Sequence, residues 1–304
     1  MPSRALLLVN PGARRGGEGL GEILSQLAEF GIAPIQSGGD DPERLPDLIA
    51  RHGKAVDLVI VGGGDGTLNA AVQGLVGAEL PLGVLPLGTA NNLARTLGIP
   101  TEVRDACEVI ASGHRRRIDL GWVNGRYFFT TASLGLSVRI TEELSGQSKR
   151  RWGPLAYGVA ALRVLARTRP FHAEITWEGG SRLSRTVQIV VGNGRYYGSA
   201  LTVAEDAAID DARLDLYSIE MNHWWELVAL APALKSGRHG EKRQVEALRA
   251  TEFEIHTRRP RDIDVDGEIG ARTPARFRVL PAALEVFSPA PAPAPARAAA
   301  AAAE

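Results

Sequence analysis

One cysteine, Cys107, stands in a chain of 304 residues, so no internal disulfide can form. A lone thiol fits a reducing compartment, and the location expected from it is cytoplasmic. Net charge is missing too. Lys+Arg and Asp+Glu both number 35, which removes the bulk positive charge of a nucleic-acid binder. Long apolar runs are absent: a membrane-crossing helix needs about 18 such residues, whereas the best stretch, Leu227–Leu234, is short and holds Pro232. Ala5–Val9 is too short for the apolar part of a secretion signal and runs at once into Pro11-Gly12. What remains is an ordinary globular balance, 44% hydrophobic and 23% charged, enough for one large domain or two modest ones.

The chain is organised around Val56-Asp57-Leu58-Val59-Ile60-Val61 and the residues after it. The first six, apolar and rich in β-branched side chains, predict a strand buried on both faces of a parallel sheet. Gly62-Gly63-Gly64-Asp65-Gly66-Thr67 cannot continue it, because its glycines free the backbone for positive φ and for close approach to a ligand. Leu68, Val72, Leu75 and Val76 then recur at helical spacing. Strand, glycine turn and helix together aim backbone N–H groups and a helix N-terminus at an anion. Asp65 sits inside that turn, and a carboxylate beside phosphates implies a cation between them, Mg²⁺. An ordinary strand-to-helix turn also favours glycine, but it does not ask for Asp-Gly-Thr. No Gly-Lys-Ser/Thr follows, as a Walker loop would require, and no acidic residue stands at the distance of a dinucleotide fingerprint.

Taken in order, Leu6–Val9 predicts a first buried strand that ends at Asn10, where open α/β sheets bind ligands. A helix face (Leu20, Ile23, Leu24, Leu27), a strand over Ile32–Ser37 and a helix over Pro42–Arg51 capped by Asp40 or Asp41 come next. After the glycine turn, Pro81–Leu87 predicts another strand, which ends in Gly88-Thr89-Ala90-Asn91-Asn92. A helix over Ala106–Ser112 and a strand from Arg115 holding Asp119 follow. From Gly121 the texture changes to strands and hairpins: Asn124-Gly125 reads as a type I′ turn, and strands are expected at Ala173–Trp177, Thr186–Val191, Arg213–Ile219, Glu252–His256 and Phe277–Leu280. Helices are expected over Leu155–Ala166 and Trp224–Leu234. The expected fold is an α/β domain with a mostly parallel sheet (1–120), then a mostly antiparallel β domain (121–287) whose last segment can return to the first, with the active site in the cleft between them. Residues 288–304 form a low-complexity Ala/Pro tail.

These landmarks, joined by Asn193-Gly194-Arg195-Tyr196-Tyr197-Gly198, Asp210-Asp211 and Asp266-Gly267-Glu268, resemble the soluble lipid kinases of the diacylglycerol kinase catalytic-domain family over about residues 4–287. Relatives are the sphingosine and ceramide kinases and, more distantly, NAD kinase, whose Thr-Pro-Thr-Gly-Ser-Thr-Ala-Tyr type segment is lacking here. The resemblance implies Mg²⁺-dependent transfer of the ATP γ-phosphate to a lipid hydroxyl, diacylglycerol-like in the first instance. It places nucleotide contacts at Asn10, Pro11, Gly12, Ala13, Arg14, Ser37, Gly62, Gly63, Gly64, Asp65, Gly66, Thr67, Leu68 and Thr89. It puts Asp65, Asp119 and position 92 in a catalytic Mg²⁺ network, and a structural metal on the Asp211 side chain with the carbonyls of Ala208 and Arg213. The catalytic base falls to Asp266 or Glu268, with the choice between them open; by itself Val265–Glu268 reads as a hairpin turn. Three departures stand out: Asn92 where many members have aspartate, Ala212 for the glycine after the Asp-Asp pair, and Glu205 near a usual proline.

Two other functions stay open at this point: a non-catalytic nucleotide or lipid sensor, supported only by Asn92, and a small-molecule kinase of NAD kinase type. A lipid acceptor carries with it peripheral contact with an anionic membrane surface, for which Lys149-Arg150-Arg151-Trp152 and His223-Trp224-Trp225 are candidates. The oligomeric state is open, a homodimer included.

Overall fold

The structure is a computed structural model, and it describes residues 3–13, 19–139, 168–194, 196–197, 201–202, 208–220, 226 and 245–290. The expected helices Leu155–Ala166 and Trp224–Leu234, both basic or aromatic membrane segments, Arg14, Glu205 and the tail past 290 lie outside these residues. No helix among the described residues is long and apolar enough to cross a membrane.

The first part alternates strand and helix: β1 (Ser3–Val9), α1 (Leu20–Glu29), β2 (Ile32–Gly38), α2 (Leu45–His52), β3 (Leu58–Gly63), α3 (Asp65–Ala78), β4 (Leu82–Pro86), α4 (Asn92–Leu97) and α5 (Val103–Ala111). Strands β1 to β4 are parallel, in the order β2-β1-β3-β4. The chain leaves β1 toward β2 and returns to β1's other side as β3, so the topological switch point, where such sheets bind ligands, lies between β1 and β3. All six residues of β3 are buried, as an apolar run covered on both faces must be. Asp41, not Asp40, caps the turn that leads into α2, its Oδ1 accepting the Glu43 N–H at 3.1 Å.

The remaining strands are β5 (Arg115–Val123), β6 (Arg126–Phe128), β7 (Thr131–Gly135), β8 (Phe171–Trp177), β9 (Gly180–Thr186), β10 (Gln188–Gly192), β11 (Tyr196–Tyr197), β12 (Leu201–Thr202), β13 (Leu214–Ile219), β14 (Val245–Ala250), β15 (Glu252–Thr257), β16 (Asp262–Val265), β17 (Glu268–Arg272) and β18 (Ala275–Phe287). Six of them form an antiparallel sheet, β14-β13-β10-β7-β16-β17. Its inner face (Ala132, Leu134, Ile189, Val191, Leu214, Leu216, Ile263, Val265) packs on β8, β15 and β18 in a core separate from that of the α/β part. The expected turn at Asn124-Gly125 is present, with φ of 44° and 95°.

The expected strand Phe277–Leu280 is much longer. Strand β18 runs 13 residues, pairs antiparallel with β5 along most of its length, and reaches the parallel sheet where Val286 meets Leu82 of β4. One ten-stranded sheet therefore passes through both parts of the molecule. The pairing of β18 with β5 is interrupted between Leu280 and Leu284, and Asp119 fills the interruption. Its Oδ1 accepts the Ala282 N–H at 2.8 Å and its Oδ2 the Ala212 N–H at 2.6 Å. A buried carboxylate with a donor on each oxygen knots three chain segments together.

Ala212 adopts φ of 57°, the left-handed conformation that the missing glycine would have accepted freely. An L-residue there costs about 1–2 kcal/mol, and glycine returns about 0.5–1 kcal/mol of that as backbone entropy. Ala212→Gly is therefore expected to stabilise the fold by up to about 1 kcal/mol. Urea unfolding of the two proteins checks this, and a lower midpoint for the glycine variant contradicts it.

Candidate active site

Three strand ends meet at the switch point. Asn10, just after β1, donates its N–H to Gly62 O (2.9 Å) and its Nδ2 to Thr67 Oγ1 (3.1 Å), while its Oδ1 accepts the Gly12 N–H (2.8 Å). One side chain thus joins the first loop to the glycine turn. After β4, the Leu87 N–H donates to Gly63 O at 3.0 Å, and a Cβ on Gly88 would lie 2.5 Å from the Gly64 Cα. No other residue fits at position 88 without parting the two loops. The loop is held by Asn91, at φ of 49°, whose Oδ1 accepts the Gly88 N–H and whose Nδ2 donates to Gly88 O and Pro86 O.

Helix α3 begins at Asp65, three residues earlier than the apolar spacing indicates, so Asp65, Gly66 and Thr67 form its first turn. Gly64 caps it with no side chain, an arrangement that suits an anion at the helix N-terminus. Asp65 Oδ1 accepts the Leu93 N–H (3.3 Å) and its Oδ2 the Asn92 Nδ2 (3.4 Å). Burial pushes its carboxyl above the ordinary value; the Leu93 N–H opposes this, and the charge of Asp266 adds to it.

Asp266 and Gly267 form the two-residue turn between β16 and β17, with φ of 50° and 98°. The hairpin expected from Asp-Gly and the site expected from the resemblance are the same object. Asp266 Oδ2 accepts the Phe129 N–H at 2.7 Å, and its Oδ1 accepts the N–H groups of Thr130 (3.0 Å) and Thr131 (2.9 Å) together with the Thr130 hydroxyl. Burial pushes this carboxyl up as well, against the pull of those four donors. Glu268 is exposed, and its Oε1 lies over Gly66: a Cβ there would approach it to 3.2 Å. The Asp266-Gly267 turn and the glycine turn, about 200 residues apart in sequence, therefore touch.

Of the remaining expected contacts, Leu68 and Thr67 are buried, Ala13 and Ser37 are half-buried, and Pro11, Gly12 and Thr89 are exposed. Asp119 is placed differently from the expected shared magnesium: both its oxygens hold backbone donors, and its charge is felt by Asp211. Asp211 also has other partners than expected. Its carboxylate is raised by burial and accepts the N–H groups of Arg213 (3.0 Å to Oδ1) and Ala208, where carbonyls serving a metal were expected. Those two N–H donors are what a turn beside β13 supplies. Asp65 and Asn92 fit a cation. The Asn92 Oδ1 is buried without a hydrogen-bond partner, next to a carboxylate crowded by a second carboxylate, and hard oxygen donors suit Mg²⁺.

Residues to which the sequence assigned no role complete the support. Asn193 donates through Nδ2 to Asp119 O and Phe129 O, both at 3.0 Å, and through its N–H to Thr130 O. Only its place in the Asn-Gly-Arg-Tyr-Tyr-Gly motif pointed to it. Thr130 had no signal at all, because its role depends on a turn 136 residues away.

Asp65→Asn removes a partly buried charge facing Asp266. It also supplies an Nδ2 that a reoriented Asn92 can accept, which satisfies the orphaned oxygen. In metal-free buffer at pH 7 the variant is expected to be more stable by on the order of 1 kcal/mol. Thermal melts test this, and a lowered midpoint refutes the account of the pair.

The comparisons with known proteins agree with this geometry. Residues 4–123 match the diacylglycerol kinase catalytic domain, and residues 130–288 match the YegS C-terminal NAD kinase beta sandwich-like domain. A diacylglycerol kinase of Mycobacterium tuberculosis (strain H37Rv) is 32% identical over 277 residues, covering 88% of each chain. One from Staphylococcus aureus (strain bovine RF122 / ET3-1) is 29% identical over 299 residues, covering 95% of this chain and 93% of that one. The crystal structure of a diacylglycerol kinase from Bacillus anthracis str. Sterne superposes with a TM-score of 0.73 at 24% identity over 94% of this chain and 97% of that one, a likeness of fold. With two family domains in tandem and a relative above 30% identity along most of its length, the chain belongs to the diacylglycerol kinase family of lipid kinases.

Proposed function

We propose that the protein transfers the γ-phosphate of ATP to the hydroxyl of a diacylglycerol-like lipid, with Asp266 as the general base. The observation that carries this reading is the Asp266 carboxylate itself, clamped by four donors and close enough to Asp65 to raise its pKa. Three donors occupy Oδ1 and one occupies Oδ2, so Oδ2 keeps an acceptor position for a substrate hydroxyl proton. A base needs a fixed position before it needs a suitable pKa; four donors fix this one, and burial raises its carboxyl above the ordinary value. Glu268 has an exposed side chain over Gly66, and a carboxylate there would face the phosphates only through a cation.

In this reading residues 1–120 hold the nucleotide and 121–287 the acceptor. The first turn of α3 presents Gly66 and Thr67 N–H groups to the phosphates, and Asn10 and Asn91 keep the two flanking loops in register. Asp65 and Asn92 would hold Mg²⁺, which when bound neutralises charge on the phosphoryl oxygens. Asp266 takes the hydroxyl proton as the lipid oxygen approaches phosphorus, and its four donors keep it from turning away. A lipid acceptor comes from a bilayer, so peripheral contact with an anionic membrane belongs to the same reading.

Labelled ATP offered with diacylglycerol, ceramide, a sphingoid base, phosphatidylglycerol and NAD is expected to label diacylglycerol. Label in NAD, or in nothing, overturns the proposal. Asp266→Asn is expected to lower kcat by about 10²–10⁴-fold. Because the Asp266 carboxyl is raised and must be deprotonated to act, wild-type kcat should fall as pH drops through a value above the ordinary ~3.9 of aspartate. An acid limb at or below the ordinary value assigns the base elsewhere.

A further inference from the structure

Helix α3 carries Asp65, Asn69 and Gln73 at successive four-residue steps, and so on one face. Only the first enters the site. Asn69 is 5% exposed and donates its Nδ2 to Val265 O at 3.3 Å, the carbonyl just before Asp266. Its Oδ1 is buried without a hydrogen-bond partner. A residue kept for packing would be better as a leucine, because an unmet buried acceptor costs stability. Gln73, one turn on, meets the backbone of Tyr127 as a neighbouring strand would. The Tyr127 N–H donates to its Oε1 at 3.2 Å, and its Nε2 donates to Tyr127 O at 3.0 Å. Tyr127 lies two residues before Phe129, the first of the three residues that clamp Asp266.

We propose that Asn69 and Gln73 are positioning residues that form a clasp, setting the distance from the phosphate end of α3 to the carboxylate of Asp266. Asn69 holds the hairpin that carries Asp266. Gln73 holds the strand that leads to its donors. Both bonds start from the helix whose first turn faces the nucleotide. Any rotation of the acceptor part against the nucleotide part must stretch one bond or the other. Phosphoryl transfer is sensitive to such a shift, since displacements near 1 Å reduce rates by about a hundredfold. Neither residue touches a substrate. The proposal rests on Asp266 being the base.

The test compares Asn69→Leu, Gln73→Ala and the double variant with wild type, using ATP, Mg²⁺ and a short-chain diacylglycerol in mixed micelles. Each single variant is expected to lower kcat at least tenfold. The dissociation constant of a non-hydrolysable ATP analogue should stay within about twofold, at one site per chain by calorimetry, and Asn69→Leu should not lower the thermal midpoint. Because both residues act through one clasp, the double variant should lose less than the product of the single effects. Unchanged kcat in both single variants overturns the clasp. So does a loss of kcat matched by lost binding stoichiometry, which marks a folding defect. Asp266→Asn run alongside separates the two ideas. If it alone loses activity, the base stands and the clasp falls; if it keeps activity, the base reading falls.

Discussion

The structure turns on one carboxylate. The side chain of Asp266 gathers the N–H groups of three consecutive residues, Phe129 to Thr131, and the Thr130 hydroxyl. Three successive backbone donors converge on one acceptor only where the chain bends, as it does at Phe129 and Thr130 between β6 and β7, because along a strand they point to alternate sides. The turn supplies the missing acceptor with a side chain instead of a neighbour. That choice fixes the β16–β17 hairpin against the β6–β7 link, and Asn193 fixes the link in turn to β5 through Asp119 O and Phe129 O. Asp119 then closes the chain of support by holding the Ala212 and Ala282 N–H groups. The proposed base is thereby tied to the strand that joins the two sheets through buried polar contacts, each of them costly to break inside a protein.

The other side of the cleft is built on the opposite principle. Where Asp266 is held by four donors, the pair Asp65 and Asn92 is poorly satisfied: a raised carboxyl sits beside an amide oxygen without a partner, and a second carboxylate adds its charge. Folds do not retain such a cost for stability. They retain it where a ligand completes the set, and functional sites are the usual place for this kind of frustration. Substitution of aspartate by Asn92 at a position where many members are acidic lowers the repulsion without removing the oxygen. The pair thus keeps an oxygen donor and carries one negative charge fewer.

Strand β18 explains why the two parts behave as one frame. It pairs with β15 at its start, follows β5 along its length and ends beside β4. The glycine-rich loops after β3 and β4 hang from the parallel end of this sheet and the Asp266-Gly267 turn from the antiparallel sheet packed on it, so their separation depends on packing shared by both cores. The interruption at residues 281–283 lets β18 change partners, and Ala282 at φ of 50° marks the place.

By itself the sequence determined the elements whose physics is local. The burial of β3 and β4 followed from their unbroken apolar runs, and the turns at Asn124-Gly125 and Asp266-Gly267 from the positive φ that Asn, Asp and Gly tolerate. The glycine turn between β3 and α3 was legible because a run of glycines frees the backbone where the strand must stop. The sequence did not determine where α3 begins, since Asp65–Thr67 carry no apolar period. It missed β7, β9 and β14, segments that become strands only when a neighbour satisfies their backbone. Tertiary structure alone separated the roles of Asp65, Asp119 and Asp266. All three read as acidic ligands or bases along the chain, yet one takes two long contacts from the start of α4, one holds two distant loops and one holds the bend between β6 and β7. Their partners lie about 30 to 160 residues away, and a carboxylate's role is set by which donors the fold brings to it, a quantity no local pattern contains.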